Sequence, residues 1–341
     1  MENKDECQHK LCLLDNKYII LKKLGEGATS IVYKIKDFTN GKEYAAKLFK
    51  KYDDFVENEI NINKKVTELN CPFFIKYISS SVGYLVKGET TSIQPYILFE
   101  LCSKYNPVTL INCNEKGLDD KMCKTLFSQI LQIVKCLHKS GICHRDLKLD
   151  NFIFDGDNFN IKLGDFGFSS QIIKKKNGKT KKLTGKYGTK SYAAPEIILD
   201  LPYDGEKADI FSLGVILFTL RTCKFGFAEA KVVNFERNIL KKLYNFIKRK
   251  EIELYWELLE KYLNITGLSE EFKQLYINMV AFNPDERPTI EEIYNHEYMK
   301  EIRDLNEEEM EAYKKELIDE LKKREEIINK STTPNKTGNS I

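Results

Sequence analysis

A chain of 341 residues, 42% hydrophobic and 31% charged, has room for one large domain or two modest ones, with the composition of an ordinary soluble protein. Its formal net charge of +3 is too small for this length to argue for a nucleic-acid or membrane partner. Nine scattered cysteines form no Cys-x-x-Cys pair and four histidines supply no zinc-finger spacing, so reduced thiols in a cytoplasmic, or a nuclear, compartment are expected. The polar start MENKDECQHK carries no apolar run, and Glu2 stands where myristoylation would need glycine. The longest nearly apolar stretch, Ile210 to Leu220, is too short to span a bilayer, so no membrane association is expected.

Tyr18 to Phe49 reads as three short strands rich in β-branched and aromatic residues, with Asn40-Gly41 marking a hairpin turn before KEYAAKLF. Asp53 to Leu69 has helical composition, and Cys71-Pro72 is expected to close it because the residue before proline avoids the α region. PYILFEL, from Pro95 to Leu101, is another strand. The character then changes. Between Asp119 and Gly141 the residues Met122, Leu126, Ile130, Ile133, Val134 and Leu137 share one helical face. Further helical segments are expected over Asp209–Thr222, Phe235–Leu263 and Glu270–Val280. The class is therefore α+β, a small strand-rich part preceding a larger, mainly helical one, without internal repeats.

Near Asp304 a last segment begins with Glu307, Glu308 and Glu309 and later turns to Lys314, Lys315, Lys322 and Lys323, the charge order that suits a helix dipole. Met310, Tyr313, Leu317 and Leu321 would give this helix, over 304–329, one narrow apolar stripe. The polar residues 330–341 are expected to be disordered. The helix reads as an appendage packed by one side, with autoinhibition or dimerisation as the sharper alternative.

Two glycines in Gly25-Glu26-Gly27, between two strands, would let backbone N–H groups approach a phosphate. Alone, they read more readily as a plain turn, and Lys47 alone as a solvated lysine. His144-Arg145-Asp146-Leu147-Lys148-Leu149-Asp150-Asn151 is sharper, because it packs acids, bases and an amide between a helix and the strand FIF. Asp165-Phe166-Gly167 follows the next strand. Asn151 and Asp165 could offer oxygens to Mg²⁺, a hard cation held by few protein oxygens plus phosphates, while Asp146 could accept a hydroxyl proton.

In this order the motifs resemble the eukaryotic protein kinase family over roughly Tyr18 to Arg303. The resemblance implies a two-lobed kinase fold with ATP and Mg²⁺ as cofactors and proteins as substrates. The expected domain covers 18–303, with a small β-rich N-lobe (18–99), a hinge (100–102) and a larger, mainly helical C-lobe (103–303), after an N-terminal extension 1–17. By resemblance, Gly25, Gly27 and Val32 belong to the glycine-rich loop, and Lys47, with Ala45 before it, holds the α- and β-phosphates. Glu59 is similar to the lysine's helical partner, with Glu57 left open. Phe99 matches the back of the adenine pocket, Glu100 to Cys102 the hinge, and Ile153 joins the ATP-binding set. Asp146 resembles the catalytic base and Lys148 the lysine near the transferred phosphate. Asn151 and Asp165 resemble the metal ligands.

The scaffold is similar too. Tyr192 to Glu196 resembles the end of the activation segment, Arg287 the partner of Glu196, and Asp209 the residue anchoring the catalytic loop. Arg145 is similar to the arginine that often receives an activation-segment phosphate, with Thr184 the first candidate acceptor and Thr180 the second. Lys148 and Gly188-Thr189 point to the serine/threonine type, in a cast close to the calcium/calmodulin-dependent and AMP-activated kinases. Ser30 departs from the third glycine, and Asn63 replaces the apolar residue expected to pack on Phe166, which would loosen the active alignment.

A catalytically silent relative acting as a scaffold and, more weakly, a small-molecule kinase remain as alternatives. Between Phe168 and Lys190 stand eight lysines (174, 175, 176, 179, 181, 182, 186 and 190) and no acid. They read as a solvated loop or as a platform favouring acidic substrates or a regulatory phosphate. Only Asp150 supplies an acid where basophilic relatives hold substrate arginine; Asn106 and Thr219 occupy the other two positions.

Overall fold

The computed structural model describes residues 12–102, 106–111, 117–155, 160–174, 176, 180–224, 245–303, 305–306, 308–309, 311–312, 314–316, 318–319 and 322–323. It divides into two compact units, one of residues 1–104 with 162–169, the other of 105–161 with 170–341. Among the described residues, no helix is long and apolar enough to cross a membrane.

In the first unit, strands β1 (Cys12–Leu14), β2 (Tyr18–Glu26), β3 (Ser30–Asp37) and β4 (Glu43–Phe49) precede helix α1 (Asp54–Glu68), and β5 (Tyr77–Lys87) and β6 (Thr90–Glu100) follow it. The strands pair antiparallel in the order β1-β2-β3-β4-β6-β5, and β1 also pairs with β5. The three expected strands are present, as is the turn at Asn40-Gly41. β1, by contrast, lies in what reads from sequence as an N-terminal extension, and β5 has no counterpart in that reading.

Alternation sorts the sheet's side chains into two sets. Leu14, Tyr18, Tyr33, Ile35, Ala46, Leu48, Leu85, Tyr96 and Leu98 form one apolar cluster. Phe49 and Ile97, of the opposite parity, join Val56 and Ile60 of α1 in another, with Phe99 and Tyr77 packed against it. Asp53 caps α1 by accepting from the N–H groups of Phe55 and Val56 at 3.2 Å. The helix closes before Cys71: Leu69 is its C-cap and Asn70 turns the chain with φ +49°, so the stop is a left-handed residue rather than the proline.

The second unit is built on α3 (Asp120–Lys139) and α5 (Gly205–Thr222). α3 starts on the Asp119 side chain, which accepts from Met122 N at 2.9 Å, and buries the expected apolar face apart from the half-buried Met122. α5 is apolar all round and buried along nearly its whole length, the mark of a central helix. The short α2 (Pro107–Ile111), β7 (Ile142–Cys143), β8 (Phe152–Asp155) and α4 (Pro195–Ile198) complete the parts that frame the site.

The helix expected over Phe235–Leu263 is interrupted. Residues 245–249 are helical, Lys250 takes φ +60°, and a new helix runs over Ile252–Leu263; residues 235–244 lie outside the described ones. Helix Glu270–Met279 follows as expected. In the C-terminal segment the described residues from 308 to 323 are helical. Ahead of these helical residues, Asn306 Oδ1 accepts from Glu309 N, and Glu309 Oε2 from Asn306 N, both at 2.9 Å, a reciprocal cap; Asp304 lies outside the described residues. Lys121 Nζ lies 3.3 Å from Glu316, tying this helix to the start of α3. The stripe Met310, Tyr313, Leu317 and Leu321 and the segment 330–341 lie outside the described residues.

Candidate active site

The chemistry-bearing residues fall into two sets, one in each unit. In the first, strand register aligns them. Gly25 faces Val32 across β2-β3, Val32 faces Lys47 across β3-β4, and Lys47 faces Ile97 across β4-β6. Ala45 faces Phe99 two residues along. All share the parity of the face that packs α1. Gly27 turns the chain between β2 and β3, donating to Ser30 O at 2.8 Å, and the loop is further held by Lys50 Nζ on Ala28 O at 2.9 Å.

Lys47 Nζ stands 2.6 Å from Glu59 Oε1 and 2.8 Å from Asp165 Oδ1. Glu59 faces inward from α1 at 3% exposure, whereas Glu57, two residues earlier, is exposed. Burial pushes the Glu59 carboxyl up and works against the Lys47 charge; with two carboxylates on one ammonium, Lys47 is nonetheless held above the usual lysine range.

Asn63 does not loosen this helix. Its amide is buried and donates to Glu59 O at 2.8 Å, closing on the preceding turn. The ring of Phe166 packs edge-on against Phe74, with centroids 6.0 Å apart. Gly167 lies beside Glu59, whose Oε2 would stand 3.0 Å from an added Cβ. Asp165 takes φ +60°, a conformation that costs energy outside glycine and recurs at functional sites. Glu100 Oε1 accepts from Lys76 N at 2.8 Å and Lys162 Nζ at 2.9 Å, and Cys102 is half-buried.

In the second unit, Asp146 is buried at 4% exposure. Its Oδ1 accepts from Thr189 N at 2.7 Å and its Oδ2 from Lys148 Nζ at 2.8 Å, while Lys148 Nζ also reaches Thr189 Oγ1 at 3.0 Å. Asn151 donates its amide to Asp146 O at 2.8 Å, a bond that does not use its side-chain carbonyl oxygen. Ile153 is half-buried in β8. The loop is held from inside α5, where the fully buried Asp209 accepts from His144 N and Arg145 N, each at 2.8 Å, and lies 2.8 Å from His138 Nε2. Arg145 takes φ +66° in this loop.

Arg287, fully buried at its side chain, meets Glu196 in a two-pronged pair of 2.6 and 2.7 Å and also donates to the carbonyls of Ala281 and Lys207. Thr184 is exposed. Thr219 is buried, its hydroxyl spent on Val215 O at 2.8 Å, so it presents nothing to a peptide. Lys174, Lys176, Lys181, Lys182, Lys186 and Lys190 are exposed, and Lys175 and Lys179 lie outside the described residues.

The protein kinase domain family matches residues 18–299. The chain belongs to that family. Its kinase domain is 29% identical over 285 residues to sperm motility kinase 2B of Mus musculus, covering 84% of this chain and 52% of that protein. It is 29% identical over 286 residues to the SNF-related serine/threonine-protein kinase of Homo sapiens, covering 84% and 34%. Against the probable serine/threonine-protein kinase MARK-B of Dictyostelium discoideum it is 30% identical over 324 residues, covering 94% and 41%. The chain thus spans between a third and about half the length of these relatives. Membership brings the kinase fold of mixed helix and strand, the serine/threonine type of these relatives, and a family that generally uses ATP and Mg²⁺.

Within the kinase domain, sequence reading missed Thr189 N–H as the group that fixes Asp146, and His138 as the side chain beside Asp209. Main-chain donors leave no mark in composition. His138 stands 71 residues before Asp209 in sequence and meets it only in the folded unit.

Proposed function

We propose that this chain is an active serine/threonine protein kinase that transfers the γ-phosphoryl group of ATP to a protein hydroxyl. One observation carries the reading: a buried Asp146 carboxylate aimed by Thr189 N–H and Lys148, in a loop pinned by Asp209. A scaffold without catalysis would have no use for that alignment, nor for the Lys47–Glu59 pair. The first unit corresponds to the small lobe of the family and the second to the large one.

The donor set fits a nucleotide with a hard cation. Asp165 is exposed, and Asn151 keeps its carbonyl oxygen because the amide nitrogen is engaged. By the family resemblance each would offer an oxygen to Mg²⁺, which when bound supplies charge neutralisation for the phosphates. Lys47 would meet the α- and β-phosphates, steadied by Glu59. Gly25, Gly27 and Val32 would cover them, and Ala45, Phe99 and the main chain of Glu100 to Cys102 would take the base. Asp146 accepts the proton of the acceptor hydroxyl as that oxygen bonds to the γ-phosphorus and the bond to the β–γ bridging oxygen breaks. Lys148 offsets the charge beside it.

Two experiments test the assignment. With ATP, Mg²⁺ and a generic protein acceptor, the chain should transfer phosphate to serine or threonine, and Asp165→Asn should require several-fold more Mg²⁺ in a titration because a negative ligand is lost. No transfer by the wild type, or an unchanged Mg²⁺ requirement in the variant, would count against it. Glu59→Gln should lower kcat/KM for ATP about 10- to 100-fold, the rate equivalent of a charge-assisted hydrogen bond worth ~1.5–3 kcal/mol. Glu57→Gln should stay near wild type, and the reverse ranking would remove Glu59 from the site.

A further inference from the structure

Arg145 immediately precedes Asp146, and its guanidinium meets two tyrosines. Its central carbon stands 4.6 Å from the centroid of the Tyr187 ring, and Nη1 donates to the Tyr203 hydroxyl at 3.3 Å. Both rings sit where the chain between residues 183 and 203 fastens onto the catalytic loop. Leu183 and Tyr203 exchange both main-chain hydrogen bonds, at 2.8 and 2.9 Å. Gly185, at φ +95°, lies so close under the Tyr187 ring that an added Cβ would collide with it. Gly188, at φ +97°, leaves no room for a Cβ beside the Arg145 carbonyl oxygen. The next residue, Thr189, delivers its N–H to Asp146. Ring, turn and the N–H that meets the aspartate therefore follow within three residues, 187 to 189.

From this geometry we infer that Tyr187 is a positioning residue for phosphotransfer. Its ring, drawn to the Arg145 guanidinium by cation–π attraction, docks residues 183–189 so that Thr189 N–H sets the orientation of Asp146. The inference rests on the kinase reading and goes beyond it. The ordering that the resemblance assigned to a phosphate on Thr184 falls instead to an aromatic ring. Thr184 is exposed, while the guanidinium that would receive its phosphate lies against Tyr187. A segment docked through the ring needs no phosphate to order it, so the enzyme works without prior phosphorylation. Positioning of this kind acts on turnover, because a displaced base costs rate even when nucleotide binding is untouched.

The test uses the full chain, stripped of phosphate by a phosphatase, with the stripping verified by mass spectrometry. Wild type and Thr184→Ala should both phosphorylate a generic protein acceptor in this state. Tyr187→Leu, which keeps apolar bulk without a π face, should lower kcat about 10-fold with the KM for ATP within about twofold. Tyr187→Phe and Tyr187→Trp, which keep the face, should recover kcat to within about threefold of wild type. Where Tyr187→Leu fails to fold, Tyr187→Met is read in its place. Equal kcat for the leucine and phenylalanine variants would overturn the inference. So would a stripped wild type that gains activity only when Thr184 is phosphorylated. A wild type silent in both states would defeat the kinase reading itself, a result distinguishable from either.

Discussion

Asp146→Asn should lower turnover by about 10²–10⁴-fold while nucleotide binding stays nearly intact, the usual consequence of removing a general base. The substitution is close to isosteric. An asparagine oxygen can still accept from Thr189 N–H, so the loop has no reason to move, and the main-chain bonds to Asp209 do not involve the altered group. What disappears is the second carboxylate oxygen, now bonded to Lys148, and with it the capacity to take a proton. Single-turnover kinetics beside a direct nucleotide-binding measurement separate the two effects. Near-normal turnover would remove Asp146 from the chemistry and revive the silent-scaffold alternative.

Glu196→Ala should destabilise the second unit by ~3–5 kcal/mol, because it leaves the Arg287 guanidinium buried without its counter-charge. Arg287 has a fully buried side chain and Glu196 one only 7% exposed, so water cannot replace the lost carboxylate. The remaining acceptors, the carbonyls of Ala281 and Lys207, satisfy N–H groups but not the charge. An exposed pair provides the control. Lys300 and Glu297 lie 3.3 Å apart with side chains 55% and 65% exposed, and Glu297→Ala should cost no more than about 1 kcal/mol. Denaturant unfolding of both variants would show it, and equal midpoints would mean that the buried pair is not what holds residues 192–196 to the helical core.

The parts of the fold that were legible are those where local pattern and tertiary demand agree. β2 to β4 are rich in β-branched and aromatic residues, the Asn40-Gly41 turn joins two of them, and α3 presents one apolar face. β5 escaped because Ser79, Ser80, Ser81 and Gly83 have little strand preference of their own, and pairing along β6 supplies what they lack. β1 is three residues long and exists only through its partners on both sides. The break at Lys250 and the backbone turns at Arg145 and Asp165 are left-handed residues that are not glycine, so no residue type announces them. At the site, motif spacing pointed to Asp146, Lys148, Asn151 and Asp165 as a chemical set. It could not choose between Glu57 and Glu59, because the choice depends on how α1 is rotated against β4. Asn63 looked like a polar intruder only while its amide was assumed to lack a partner inside the helix.

The line Gly25, Val32, Lys47 and Ile97 across four strands makes the lysine a proofreader of its own sheet. A slip of one residue between β3 and β4 would exchange Lys47 with Ala46 or Leu48 and send an ammonium group among Leu14, Tyr18, Ile35 and Leu98. An unpaired charge there costs several kcal/mol, more than a misaligned hairpin can recover from its other contacts. Misregistered molecules are therefore rejected during folding by the same side chain that the finished protein pairs with Glu59 and Asp165, so a chain that has passed that check already has Lys47 on the right face.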